Sequence, residues 1–167
     1  MRTNMPVTGR EVDYPDGDTL VSTTDTKGVI THCNEAFVRI SGFDYDELIG
    51  QPHNLVRHPD MPPEAYRDLW STIGRGRPWS GVVKNRCKSG DHYWVLANVT
   101  PVMSEGKPRA YMSVRLKPTR EQIREAETLY RRIADERASG RPTIKLHSGG
   151  VRRVGWRDAP GRLHRLT

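Results

Sequence analysis

The chain has 167 residues and a formal net charge of +7, and 35% of its residues are hydrophobic. That length suits one principal core with extensions, roomy enough for a small-molecule pocket but too short for two substantial cores. No run approaches the roughly 18 apolar residues of a membrane span, and the amino terminus lacks the apolar stretch of a secretory signal, so a cytoplasmic chain is expected.

Residues 1–17 mix polar residues, prolines and glycines without periodicity and read as an extended amino-terminal cap. Thr19–Thr24 and Val29–Cys33 are β-prone and flank the turn Asp25-Thr26-Lys27-Gly28, which predicts a hairpin. Asn34 is placed to cap a helix over Glu35–Ile40 that Gly42 stops, and Asp44 opens a second short helix closed by Gly50. A loop rich in proline follows, Gln51-Pro52-His53-Asn54-Leu55-Val56-Arg57-His58-Pro59-Asp60-Met61-Pro62. Asp60 is the predicted N-cap of a helix running to about Ile73, because Pro62 and Pro63 then fall in the first turn, where a missing amide hydrogen costs little. Tyr66, Leu69, Trp70 and Ile73 recur at helical spacing and form one apolar face.

Three strands are predicted next, at Trp79–Cys87, His92–Val102 and Arg109–Lys117, joined by turns short enough to pair them antiparallel. Thr119-Arg120-Glu121-Gln122 has the form of a capping box and opens a helix to Ser139-Gly140. Its stripe of Ile123, Ala126, Tyr130 and Ile133 suits docking on the sheet, pairing with a second copy, or carrying a signal onward. Seven of the basic residues but one acid, Asp158, lie in 141–167, so nearly all the net charge belongs to the tail. Such a tail suits an anionic lipid surface or an acidic protein face, with nucleic acid not expected; the plainer reading is a solvated, partly disordered segment. Cys33 and Cys87 match no CxxC or zinc spacing and read as ordinary thiols. The chain carries no GxGxxG loop, GxSxG elbow or HExxH pair, so no enzyme activity is expected.

A hairpin, short helices, a ligand-suited loop and three longer antiparallel strands describe an α+β chain whose order resembles a PAS sensor domain. More narrowly, Asp18 to about Arg115 resembles the flavin-binding PAS domain of bacterial aerotaxis receptors. The matching motifs include Ser22-Thr23-Thr24-Asp25, Gly50-Gln51-Pro52-His53-Asn54, Val56-Arg57-His58-Pro59-Asp60-Met61-Pro62, Pro78-Trp79-Ser80-Gly81, Gly90-Asp91-His92-Tyr93-Trp94-Val95 and Tyr111-Met112-Ser113-Val114-Arg115. Gly155-Trp156 resembles what trails that domain in the receptors. The resemblance implies a five-stranded antiparallel sheet with short helices on one face, an amino-terminal cap (1–17), a sensor domain (18–118), a linker or signalling helix (119–140) and a basic tail (141–167). It also implies non-covalently held FAD that reports redox or electron-transport state to an output protein or domain, with a homodimer as a further expectation. Aerotaxis receptors continue into a membrane anchor, a HAMP segment and a signalling coiled coil, which this sequence does not contain; a free-standing sensor or a portion of something longer is expected.

FAD needs charge neutralisation, a flat apolar slot and amide-type hydrogen bonds. Arg57 suits phosphate oxygens through a bidentate fork, His58 a single donated bond, and the helix start after Asp60 adds amide hydrogens. Asp60 cannot bond an ionised phosphate, so it caps the helix or orients Arg57 and His58. Trp70 and Trp79 are candidate walls of the ring slot, Trp70 with plain core packing as its alternative. Asn85 can donate and accept at once, matching the flavin pyrimidine edge, and related flavin PAS domains use an asparagine of this strand. Asn34 is either a ligand contact or only a helix cap. Haem on His58 or His53 is a lesser alternative. The absence of cysteine from the loop argues against light-driven adduct chemistry, and a cofactor-free PAS module for dimerisation or protein interaction is the main rival.

Overall fold

The computed structural model describes residues 3–153 and 164–165. Five strands form one antiparallel sheet: β1 (Leu20–Thr24), β2 (Ile30–Cys33), β3 (Trp79–Arg86), β4 (His92–Ser104) and β5 (Lys107–Leu116), in the order β2-β1-β5-β4-β3. The helices are α1 (Glu35–Ser41), α2 (Tyr45–Leu48), a 3₁₀ turn at His53–Val56, α3 (Pro63–Gly74) and α4 (Arg120–Ser139). The expected α+β class, sheet and short helices are all present. No described helix is long and apolar enough to cross a membrane.

The central strands place alternate residues on one inner face, as the two-residue period requires. Pairing aligns Leu20 with Arg115, Arg115 with Ala97, and Ala97 with Gly81; the next row is Ser22, Ser113 and Val99. Small residues therefore occupy the middle of a face whose edges carry Phe37, Leu48, Val56 and Ile73 from the packed helices. A close-packed interior filled by large side chains at the rim and small ones at the centre leaves space between sheet and α3.

Capping accounts for the joints. Asn34 Oδ1 accepts from Phe37 N at 3.1 Å and from Val21 N at 3.1 Å, while its Nδ2 donates to Thr19 O at 2.7 Å. One carboxamide thus ends β2, opens α1 and fastens both to β1. Thr119 and Gln122 form the expected reciprocal box, with bonds of 2.9 and 3.1 Å, and Gly140 ends α4 at φ +71°. The Ile123–Ala126–Tyr130–Ile133 stripe is buried, and Tyr130 Oη donates to Val82 O on the outer side of β3, so docking on the sheet is what this stripe does. Asp60 departs from expectation: α3 starts at Pro63 with Pro62 before it and no side-chain cap, because Asp60 turns outward to Lys84 at 2.8 Å. The carboxylate finds a cation on the neighbouring strand, and two prolines leave fewer amides to cap.

The amino-terminal cap is laid along β4, with His92 N donating to Arg10 O and Val12 N to His92 O. Asn4 Nδ2 reaches the carbonyls of Asn54, Leu55 and Arg57, so the cap also holds the loop before α3. Beyond α4, Ile144–His147 (β6) and Gly150–Arg153 (β7) form a hairpin, with His164–Arg165 (β8) pairing β7. The part of the tail that reads as a partly disordered segment is therefore an ordered hairpin between 144 and 153. The Gly155-Trp156 resemblance lies outside the described residues.

Behind the proline loop, His58 is buried and its Nδ1 accepts from Asp60 N at 3.0 Å, with the His92 ring 6.0 Å away, edge to face. Burial is the largest cause pulling both imidazoles below their ordinary range, His58 down to about 4, with the Lys84 ammonium adding to it.

Two outcomes follow. Asn34→Ala should cost about 1–2 kcal/mol of unfolding free energy, since it removes a cap and a strand tie together; a denaturant titration that leaves the midpoint unmoved would refute this role. An unfolded chain takes up protons near pH 6.5 that folded His58 refuses until about pH 4, with His92 shifted in the same direction, so the histidine contribution is complete above pH 6.5 and is lost on acidification. The unfolding free energy should fall by up to about 1.4 kcal/mol per pH unit for each such histidine, and His58→Gln should flatten that slope between pH 6.5 and 4.

Candidate ligand-binding cavity

Between the inner face of the sheet and α3 lies a cavity of ≈ 300 Å³. It is at the lower end of ligand pockets, which run roughly 300–1,000 Å³. Val83, Val95, Ala97, Val99 and Ile73 line its apolar wall. The exposed lining residues Lys27, Pro52, Asn54 and Trp70 mark its mouth. Gly28 holds φ +86° there, and a Cβ on it would come within 3.0 Å of the Trp70 indole, so glycine lets the β1–β2 turn close on that ring.

The strongest electrostatic feature is Arg115. It is 2% exposed on β5, and its guanidinium donates to Ser22 Oγ, to Leu20 O at 3.4 Å and to His53 Nε2 at 2.7 Å, with the Phe37 ring 4.7 Å away. No carboxylate accompanies it, and burial pulls its pKa down to about 10, still charged at neutral pH. His53 is held neutral: burial, then the Arg115 charge, push it down to about 3, and with Nε2 accepting, the ring proton belongs on Nδ1. Arg57 stacks 3.7 Å from the Tyr66 ring centroid on α3, and Lys27 lies at the mouth. Among the described residues, three cations and no Asp or Glu line the cavity.

The seven sequence-derived candidates divide. Arg57, Trp70 and Asn85 line the cavity: Trp70 is 41% exposed and sits edge to face with Tyr111, ring centroids 5.7 Å apart, and Asn85, 4% exposed, comes from β3 opposite Arg57. The other four are elsewhere. His58 packs behind the loop against His92, Asp60 faces solvent and Lys84, and Asn34 is committed to its capping bonds. Trp79 lies over Gly81 and donates from Nε1 to Asp68 Oδ2 at 2.8 Å.

Sequence reasoning passed over Arg115, Ser22, Tyr111 and the cavity role of His53. The signal was present in strand alternation: reading Tyr111-Met112-Ser113-Val114-Arg115 at a period of two puts Tyr111, Ser113 and Arg115 on one face. Among the described residues no group of His, Cys, Asp or Glu is arranged to hold a metal ion. His53, the cavity histidine weighed for haem, spends its Nε2 on a guanidinium.

The residues present fit a flat ligand that bears negative charge. The apolar strands and Trp70 suit a ring, Asn85 a mixed donor and acceptor edge, Arg115 a buried anionic or carbonyl oxygen, and Arg57 with Lys27 an anionic extension leaving through the mouth.

Comparison with known proteins agrees with the architecture. The PAS fold family matches residues 30–115. The aerotaxis receptor of Escherichia coli (strain K12) is 50% identical over 90% of this chain, and the nitrogen fixation regulatory protein of Klebsiella pneumoniae is 32% identical over 56%. The matched regions make up 29% and 19% of those proteins' own lengths, so this chain corresponds to a portion of each. Among solved structures, the Rhodobacter sphaeroides LOV protein superposes with a TM-score of 0.57 at 17% identity, covering 63% of each chain, which speaks to fold. With its five-stranded sheet, helical face and matched core, this chain belongs to the PAS fold family.

Proposed function

We propose that the chain is a sensory PAS domain that holds a flavin non-covalently in the cavity and relays the flavin's redox state to an output element. FAD is the form implied by the resemblance to aerotaxis receptors and by the 50% identity to one of them. The observation that carries the reading is the charge pattern of the cavity: a buried guanidinium deep inside, two further cations nearer the mouth, and no acid.

A bound flavin supplies reversible electron uptake. The protein's part is binding and electrostatics. Arg115 is fixed by Ser22, His53 and the Leu20 carbonyl before any ligand arrives, so its charge is preorganised, and in a low-dielectric wall it favours whichever ligand state carries more negative charge. His53 accepts from Arg115 and orients it without neutralising it. Asn85 can rotate its carboxamide to exchange donor for acceptor when a ligand edge gains or loses a proton. Arg57, stacked on Tyr66, and Lys27 offer donors to phosphate oxygens, leaving the ≈ 300 Å³ interior for the ring. Tyr66 and Trp70 on α3, and Asn54 and Arg57 on the preceding loop, are the walls that a change inside would press on.

Relay then requires a differential interaction with two packings of those walls; a few kcal/mol suffices to move such an equilibrium substantially. The partner would be an output protein or domain, contacted through the cap, α4 or a second copy of the chain.

The direct test is an absorption spectrum of the purified full chain with mass identification of the released cofactor. Flavin absorbance with one FAD per chain is expected, and a colourless protein that takes up neither FAD nor FMN would refute the reading. A second prediction concerns Arg115. A buried cation without a counter-charge costs desolvation energy, so Arg115→Met should leave the ligand-free protein as stable or more stable, while weakening flavin retention and lowering the flavin midpoint potential by tens of millivolts, at roughly 59 mV per tenfold in a one-electron equilibrium. Unchanged potential and retention in a folded Arg115→Met protein would remove Arg115 from the site.

A further inference from the structure

Asp68 sits on the same helix as the cavity residues Tyr66, Leu69, Trp70 and Ile73 but points away from them, and it is fully engaged. Its Oδ1 accepts from Ser148 N at 2.7 Å; its Oδ2 accepts from Gly149 N at 2.7 Å and from Trp79 Nε1 at 2.8 Å. Ser148 and Gly149 are the two-residue turn of the β6–β7 hairpin, with φ of +51° and +84°, the left-handed pair that a type I′ turn demands. That turn aims its two successive amides at one carboxylate. Gly149 is pressed so closely on β3 that a Cβ there would lie 1.8 Å from Ser80 O. At the hairpin's other end, Glu136 of α4 accepts from Thr143 N, Thr143 Oγ1 and Ile144 N at 2.7–3.1 Å. Ile144 is buried, and Leu146 and Val151 pack against the core.

The hairpin is therefore clasped at its base by α4 and at its tip by the helix that forms the cavity wall. Charge-assisted bonds to backbone amides are short, directional and intolerant of displacement, whereas the apolar contacts of Leu146 and Val151 tolerate sliding. We infer that Asp68 is the catch fastening the carboxy-terminal hairpin to α3, and that a change in the cavity is read out as a change in how firmly this hairpin is held. The second half of that inference rests on the cavity's being a flavin site; the first half does not.

Hydrogen exchange read by mass spectrometry on the full chain tests it. In the absence of added flavin, Asp68→Ala should raise exchange across residues 144–151 by roughly tenfold or more, the loss expected from removing a charged acceptor, with β1, β4 and β5 unchanged. Gly149→Ala, which changes no residue of α3 or the cavity and forces the turn away from Ser80 O, should raise hairpin exchange from the other side. Hairpin exchange unmoved in Asp68→Ala would overturn the catch whatever Gly149→Ala does, and so would loss of protection across the whole sheet in Asp68→Ala. With FAD bound, chemical reduction should alter exchange at 144–151 in the unmodified chain and not in Asp68→Ala. Equal hairpin exchange in the oxidised and reduced protein, with flavin absorbance present, would overturn the readout. Absence of flavin absorbance would instead overturn the flavin reading, and with it the readout, while the catch stands or falls on the flavin-free comparison.

Discussion

A guanidinium with no acid beside it governs the interior. Arg115 needs partners that leave its charge intact, and the fold supplies a hydroxyl, a carbonyl, a neutral imidazole and an aromatic face. Each constrains its surroundings: Ser22 must be small enough to admit the fork, His53 must stay unprotonated, and Ala97 beside Arg115 must leave room. A Glu at any of these positions would neutralise the cation more cheaply and close the space. Burying that charge without a counter-ion costs desolvation energy, and this is the ground on which Arg115 enters the proposed flavin site.

The same constraint sets which parts can move. The sheet is tied by continuous ladders, and Arg115 is anchored to two of its strands, so the inner face behaves as a fixed plate. α3 and the 53–57 loop are attached differently: α3 begins after two prolines without a side-chain cap, and the loop is tied to the plate at His53, through Arg115 and Gly28 O, and to the amino-terminal cap through three carbonyls that meet the Asn4 side chain. A charge change at the plate would be felt first by these less firmly attached walls.

Much of the architecture was legible in the sequence because it rests on local chemistry. The capping box at Thr119, the turn at Lys27-Gly28, the stripe on α3 and the strand-length runs each specify their own geometry, and the elements found agree closely with those expected. The site was legible in part. Arg57, Trp70 and Asn85 were recoverable from motif and periodicity, but the neighbouring His58 and Asp60 fall outside the cavity because a loop containing Pro52, Pro59 and Pro62 does not repeat at helical or strand spacing, and side-chain direction within it is set by tertiary partners such as Lys84 and His92. Trp79 was diverted by Asp68, whose carboxylate claims its indole hydrogen. Arg115 was missed for the opposite reason: a strand arginine reads as solvent-facing unless the alternation of its whole strand is followed. The tail hairpin depends on an acid eighty residues away in sequence, which no local pattern announces.

These attachments divide the cavity's movable walls between two ends of the chain. The amino-terminal cap grips the loop that carries His53 and Arg57, and the carboxy-terminal hairpin grips the helix that carries Tyr66 and Trp70. The two grips differ in kind. Asn4 offers neutral amide hydrogens to carbonyls, bonds worth on the order of 1 kcal/mol each net, whereas Asp68 offers a full charge to two amides and an indole, the stronger class by roughly a factor of two. The loop's firmest tie is instead the guanidinium bond to His53, which fastens it to the sheet rather than to the cap. The cavity's walls are thus held by bonds of different chemistry at the two ends of the chain: neutral amide hydrogens from the amino-terminal cap on one side, and on the other a single carboxylate on the outer face of α3.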